Sequence, residues 1–159
     1  MNISLCTDTN WLFSEEAYSI YAPCMYQPTF EKYKAQIENY VENPSVQIFV
    51  YVMFHKKVGI LVLDSSKPVT EIVGIAVAED YRHRGIGKNL VLGVMDLAHL
   101  DRLTAQTDDE SIAFYRKCGF SEEKIVKEYP DGKKIRYNCS LRPEKDKSGI
   151  FGCENATVW

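Results

Sequence analysis

At 159 residues the chain is long enough for one domain with a proper hydrophobic core, and its 45% hydrophobic and 26% charged residues are ordinary for a soluble globular protein. The formal net charge of −3 and a pI near 5.6 argue against a general nucleic-acid or acidic-membrane binder. No apolar run approaches the length of a membrane span, and MNISLCTDTNWLFSEE carries neither a basic n-region nor an apolar h-region. Neither a membrane anchor nor a signal peptide is therefore expected. Five cysteines (Cys6, Cys24, Cys118, Cys139, Cys153) form no Cys-x-x-Cys pair, which points to reduced thiols in a cytoplasmic protein. Asn155-Ala156-Thr157 matches a glycosylation sequon and, with no secretion signal, is read as chance. No His/Cys cluster has metal-ligand spacing, so no metal is expected.

Taken in order, Ile3 to Thr7 reads as a short strand and Trp11 to Tyr21 as a helix capped by Thr9 or Asn10. The segment Ala22 to Pro28 breaks that helix. A second helix runs from Thr29, its cap, to about Val41, with Asn43-Pro44 ending it. Val46 to Phe54 and Val58 to Asp64 are β-rich runs around His55-Lys56-Lys57, the pattern of an antiparallel hairpin. Ser65 to Pro68 is a loop. Glu71 to Ala78 is short and β-branched, which marks a buried strand, and Gly74 within it marks a bulge or a close backbone approach. After a turn dense in Arg, His and Gly, the residues Leu90, Val91, Val94, Leu97 and Ala98 recur at helical spacing.

Beyond that helix Leu103 to Thr107 is a short strand, and Thr107-Asp108-Asp109-Glu110 fits a capping box for a helix from about Asp109 to Cys118, closed by Gly119. Ser121 to Tyr129 and Lys133 to Leu141 flank Pro130-Asp131-Gly132 as a final hairpin. From Pro143 periodicity is lost. Residues 1–142 are therefore expected to form the domain and 143–159 an appended tail. His55, at a hairpin turn, and His99, at a helix end, are expected to be solvated.

The chemistry concentrates between the central strand and the helix after it. A strand, a basic glycine-containing turn and a helix N-terminus bring free N–H groups and the positive end of a helix dipole to one spot. A phosphate-bearing cofactor is expected there. A dinucleotide fingerprint fails, because after Gly85 and Gly87 its third glycine position is Leu90. A P-loop fails as well: Gly87-Lys88 is followed by Asn89, and Arg82 stands where its first glycine belongs.

The turn Arg82-His83-Arg84-Gly85-Ile86-Gly87, preceded by Ile75-Ala76-Val77, resembles the acetyl-CoA signature of the GNAT superfamily of N-acetyltransferases, Arg/Gln-x-x-Gly-x-Gly/Ala. A second stretch, Ser111-Ile112-Ala113-Phe114-Tyr115-Arg116-Lys117-Cys118-Gly119-Phe120, resembles that family's helix ending Phe-Tyr-x-Lys-x-Gly-Phe. The element order β-α-α-β-β-β-α-β-α-β-β over residues 3–141 is also that of the family. The resemblance implies an α/β (mixed α+β) GNAT fold, whose central, mostly antiparallel, twisted sheet splays between its fourth and fifth strands and is flanked by helices.

It implies further that acetyl-CoA is the cosubstrate and that its pantetheine arm lies in the splay. Backbone groups of the stretch Ile75-Ala76-Val77 would pair with pantetheine, with one N–H polarising the thioester carbonyl. The N–H groups of His83, Arg84, Gly85, Ile86, Gly87 and Lys88, beside Arg82, would hold the pyrophosphate. Tyr115 takes the place of the tyrosine that protonates or hydrogen-bonds the leaving sulfur, next to Phe114. A phenol suits that task because the departing thiolate is only modestly basic. Glu71, eleven residues before Arg82, resembles the glutamate that deprotonates the amine through water in histone-type members. Where the family often has asparagine bonded to the cofactor, this chain has Asp108, which accepts but, ionised, does not donate; it is either an altered contact or a cap.

The resemblance places the acceptor groove between the first two helices and the final hairpin. The connector's Tyr18, Tyr21, Cys24, Met25 and Tyr26 would suit a cationic amine as a wall, and read equally as core. The reaction implied is direct attack of a primary amine, on a small molecule or a protein, on acetyl-CoA in a ternary complex. A CoA-binding sensor without transfer is the alternative. The tail, with Phe151, Val158 and Trp159, would offer a docking surface for a partner or a second copy, as in a homodimer.

Overall fold

In the computed structural model, which describes residues 2–143, seven strands form one sheet. They are β1 (Ile3–Leu5), β2 (Val46–Met53), β3 (Lys56–Asp64), β4 (Thr70–Val77), β5 (Leu103–Thr107), β6 (Ser121–Tyr129) and β7 (Gly132–Leu141). Their spatial order is β1-β2-β3-β4-β5-β7-β6. Every neighbouring pair is antiparallel except β4 and β5, which run parallel. The mixed sheet flanked by helices expected from the sequence is the one observed.

Helices cover both faces. On one lie α1 (Thr9–Leu12), α2 (Glu15–Tyr21) and α3 (Phe30–Glu42); on the other lie α4 (Ile86–Leu97) and α5 (Ile112–Lys117). Two cores result. Leu12, Ala17, Ile20, Tyr21, Tyr33 and Ile37 pack on Ile48, Val50, Ile60 and Val62 on the first face. Ile86, Leu90, Val91, Val94 and Met95 pack on Phe49, Leu61, Leu63, Ile72 and Leu103 on the second. Strand β3 is buried on both sides, which its unbroken apolar run Val58-Gly59-Ile60-Leu61-Val62-Leu63 dictates.

Three local expectations change. The helix expected over Trp11 to Tyr21 is two helices. Asp8, rather than Thr9 or Asn10, caps the first by accepting from Trp11 N at 3.1 Å. Ser14 caps the second, accepting from Ala17 N at 3.2 Å while its hydroxyl donates to the Trp11 carbonyl at 2.6 Å. A serine that satisfies orphan groups on both sides stops one helix and starts the next. The hairpin turn expected at His55-Lys56-Lys57 is Phe54-His55, both at positive φ (51° and 63°), the conformation of a two-residue turn matched to sheet twist.

The helix expected from Asp109 begins at Ile112. Asp108, not Thr107, holds its entry: the Asp108 Oδ1 accepts from Glu110 N at 3.1 Å and Ser111 N at 3.0 Å. Thr107 is a buried strand residue. Thr29 caps α3 as expected, accepting from Lys32 N at 3.1 Å. Phe151, Cys153, the sequon at Asn155, Val158 and Trp159 lie outside the described residues.

Candidate active site

Strand β4 pairs with β5 only at Thr70–Leu103, Glu71–Thr104 and Ile72–Ala105. Past Ile72 its pairing is with β3 alone, through Gly74, Ile75, Ala76 and Val77. Strand β5 continues against β7 to Thr107. The sheet is therefore open between Val73–Val77 and Gln106–Thr107. Along that stretch β4 has no strand partner on its β5 side.

A bulge sets the opening. Val62 faces Gly74 but Leu63 faces Ile72, so Val73 is an extra residue in β4. The phase of the strand changes there: Ile72 packs toward α4, whereas Gly74 lies under Tyr21 of α2. A Cβ at Gly74 would overlap the Tyr21 phenol. The glycine thus marks both the bulge and the close approach that its place in a β-branched run implied, and the approaching group is a side chain distant in sequence.

At the C-terminal end of β4 the chain makes a 3-10 turn at Glu79–Tyr81 and enters α4 through Gly85, whose φ of 79° only glycine adopts freely. Among the described residues no side chain caps α4. The first intrahelical bond runs from Asn89 N to the Gly85 carbonyl at 3.0 Å, so the N–H groups of Ile86 and Gly87, ahead of it, have no intrahelical acceptor. Ile86 and Gly87 stand at the positive end of the dipole of a helix of twelve residues. Gly87 lies against the Phe114 ring of α5. His83, at φ 63°, turns the chain. Arg82 folds back, its Nε donating to the Val77 carbonyl at 2.9 Å, and clamps the end of β4 to the turn. The Arg84 guanidinium sits 5.5 Å from the Tyr81 ring centre.

Tyr115 is buried between Phe114 and Phe120, edge-on to both rings. Burial holds its phenol well above the ordinary tyrosine value, with the Cys139, Cys118 and Cys24 thiols and the Asp108 carboxylate adding to the effect. A neutral phenol is a proton donor throughout the physiological range. Opposite it, from the 3-10 turn Ala22–Cys24, comes the thiol of Cys24, which donates to the Tyr21 carbonyl at 3.1 Å. Desolvation pushes that thiol up to about 11, against the opposing pull of Tyr21 and the Ile75 backbone. Cys24 is exposed as a residue, but its sulfur is turned toward β4. Cys24 and the Ile75 backbone thus meet at the splay, with Tyr115 near enough for the thiol to act on its phenol.

Glu71 lies at the paired end of β4, its side chain 28% exposed and 3.7 Å from the Lys67 ammonium. Asp108 is committed to capping. Ile75, Ala76 and Val77 thus lie on the splayed part of β4, Arg82 to Lys88 in the turn and the start of α4 after it, and Phe114 and Tyr115 on α5 against Gly87, with Glu71 on the paired part of β4 and Asp108 after β5. Hollows lined by Pro68–Thr70 and His99–Arg102 lie at the opposite end of β4 and are separate from the splay.

Sequence reasoning passed over the residues of β5, β6 and β7 that face the cleft on the α1–α3 side. Strand alternation could have found them. In Ile135-Arg136-Tyr137-Asn138-Cys139-Ser140-Leu141 the apolar residues join the core under α4 and α5, which leaves Arg136, Asn138 and Ser140 on the other face.

Comparisons with known proteins agree with this geometry. The model of the acetyltransferase (GNAT) family matches residues 14–120. The chain is 39% identical over 74 residues to the uncharacterized N-acetyltransferase YvbK of Bacillus subtilis (strain 168), a match covering 42% of this chain and 48% of the relative, about half its length. Among solved structures, a Bacillus subtilis acetyltransferase in complex with CoA superposes with a TM-score of 0.68 at 22% identity, covering 89% of this chain and 97% of the other. A GNAT family acetyltransferase from Elizabethkingia anophelis with acetyl-CoA bound gives 0.65 at 20% identity, covering 88% and 96%. The fold, the splayed strand pair and the matched family model lead to one conclusion: this chain belongs to the acetyltransferase (GNAT) family.

Proposed function

We propose that the chain transfers the acetyl group of acetyl-CoA to a primary amine by direct attack in a ternary complex. One observation carries the reading: the part of β4 that has parted from β5 leads, through the turn at Glu79–Tyr81 and Gly85, to an N-terminus of α4 with no side-chain cap. An extended arm ending in a diphosphate fits that pair of features, because the edge offers ladder partners and the helix offers N–H donors with a favourable dipole. The CoA and acetyl-CoA complexes of the two structural neighbours support the same cosubstrate.

In this reading an N–H of the Ile75–Val77 stretch holds the thioester carbonyl and the charge that develops on its oxygen. The neutral amine attacks the carbonyl carbon, and the carbon–sulfur bond breaks as the tetrahedral intermediate collapses. The Tyr115 phenol gives its proton to the departing thiolate. Glu71, through water, takes the proton that the amine sheds. Arg82 pins Val77 through its Nε and belongs with His83 to Lys88 to the cofactor-binding set. Residues 1–142 form the transferase domain, with 143–159 as an appendage. The free thiols of Cys6, Cys24, Cys118 and Cys139 suit a reducing compartment, and we place the activity in the cytoplasm.

The test is thiol release from acetyl-CoA over a panel of amines, with the acetylated product identified by mass. Turnover with an amine is the expected result. Acetyl-CoA binding with no turnover on any amine would instead mean a CoA sensor. An unaltered pH–rate profile in Glu71→Gln would remove the base from the scheme.

A further inference from the structure

The face of β5, β7 and β6 on the α1–α3 side carries a polar chain with a fixed direction. Lys127 Nζ, which only donates, bonds Gln106 Oε1 at 2.8 Å. That fixes the Gln106 amide, whose Nε2 then donates to Asn138 Oδ1 at 2.9 Å. With its oxygen taken, Asn138 turns its NH2 outward as a donor. Two residues away on the same face of β7 stands Arg136, whose Nε is shut off from solvent and has no hydrogen-bond partner among the described residues.

A guanidinium keeps its charge, and a buried donor without a partner is costly. Its neighbours do not supply one. Ile125 lies directly opposite on β6. Glu123, opposite Asn138 and exposed, forms no ion pair with Arg136 among the described residues. Lys134, next on β7, is paired with Asp131 at 3.5 Å. Arg136 and Asn138 thus present donors only, with the positive charge of Lys127 close by.

Register places this pair beside the splay. Asn138 pairs with Gln106 and Tyr137 with Thr107, so Arg136 stands one residue past the last β5–β7 pair, where β4 and β5 have already parted. Two strand spacings, roughly 10 Å, and the width of the gap separate it from the β4 backbone at Ile75. A guanidinium on its extended stem and a small bound molecule span that together.

We infer that Arg136 and Asn138 bind a carboxylate of the acceptor, so that the substrate is a small amine that also carries a carboxylate, an amino acid or short peptide rather than a polyamine. The inference rests on the transfer reading above for the placement of the amine, and on Arg136 and Asn138 alone for the carboxylate.

The experiment compares α-, β- and ω-amino acids and dipeptides with their carboxamides, together with spermidine. Acetyl-CoA turnover and ligand-induced thermal shift are both read, on wild type, Arg136→Gln and Arg136→Lys. For at least one carboxylate substrate kcat/KM should exceed that of its amide by about 10- to 100-fold, the range of one charge-assisted pair. The excess should sit mainly in KM, vanish in Arg136→Gln and partly return in Arg136→Lys, while the shift caused by acetyl-CoA is the same in all three proteins. Turnover that ignores the carboxylate, or a preference that survives Arg136→Gln, overturns the inference and leaves transfer standing. A carboxylate-dependent, Arg136-dependent thermal shift without turnover keeps the inference and removes transfer. Neither turnover nor shift overturns both.

Discussion

The edge of the Phe114 ring occupies the space that a side chain at Gly87 would need: a Cβ there would lie 2.8 Å from the ring Cε1 and 3.2 Å from Cζ. Glycine in the first turn of α4 is therefore a packing requirement of α5. The opposing terms can be weighed. Alanine gains about 0.5–1 kcal/mol over glycine within a helix, and overpacking costs about 1–3 kcal/mol. Phe114 is half-buried and gives ground, so the net loss for Gly87→Ala should be about 1 kcal/mol by urea unfolding. Acetyl-CoA affinity should fall as well. Gly87→Ala combined with Phe114→Leu should recover stability; failure of the pair to do so would mean that the ring is not the obstacle.

Tyr115 bears on rate and on pH. Tyr115→Phe should lower kcat by about 100-fold or more, the scale of a lost general acid, with little change in KM for acetyl-CoA. Because burial raises the phenol above its ordinary value, kcat should show no alkaline decline from this group below about pH 10. A decline in that range that disappears in Tyr115→Phe would contradict the assignment.

Buried thiols set the alkaline stability. Cys24 and Cys118 are both pushed from the ordinary 9.0 up to about 11, chiefly by desolvation. Above pH 9 the unfolded chain gives up these protons while the native chain keeps them. The native state then binds more protons, so stability is full below about pH 9 and falls as pH rises toward 11. Guanidinium midpoints measured from pH 8 to 10.5 should decline, and less steeply in Cys118→Ala. A flat profile in the parent protein would refute this.

Ser14 is the joint between α1 and α2. Ser14→Ala leaves Ala17 N uncapped and should cost about 1 kcal/mol, a fall in Tm of about 2–4 °C for a chain of this size. Since α2 carries Tyr21 onto Gly74, acetyl transfer should weaken along with stability. Asn10→Ala, which removes a cap expected from the sequence but absent from the fold, should leave Tm within the error of the measurement.

What could be read from the chain follows the range of the interactions. The turn from Arg82 to Gly87 was legible because a chain entering a helix through a left-handed residue needs glycine at a fixed offset, whatever packs around it. Gly74 signalled an irregularity for the same reason. Its partner did not show, because Tyr21 is brought to it only by the folding of α2 onto β4. The break at Phe13-Ser14 was hidden by apolar residues that continue at helical spacing on both sides. Asp108 reads from the sequence as cofactor contact or cap, and it caps through its Oδ1. Arg136 went unnoticed because its environment, a donor chain across three strands, exists only once β5, β6 and β7 are in register.

The most direct test of the account is thermal unfolding with acetyl-CoA, CoA, NAD or ATP added separately. The β4 edge and the N-terminus of α4 should respond to acetyl-CoA and CoA. At about 100 times the dissociation constant the added stability is roughly 2.7 kcal/mol, or a rise of about 5–11 °C by the same scaling of Tm with free energy, with no comparable rise for NAD or ATP. No shift with either CoA species at high concentration would contradict the account, because the splayed strand and the uncapped helix would then hold nothing of the kind.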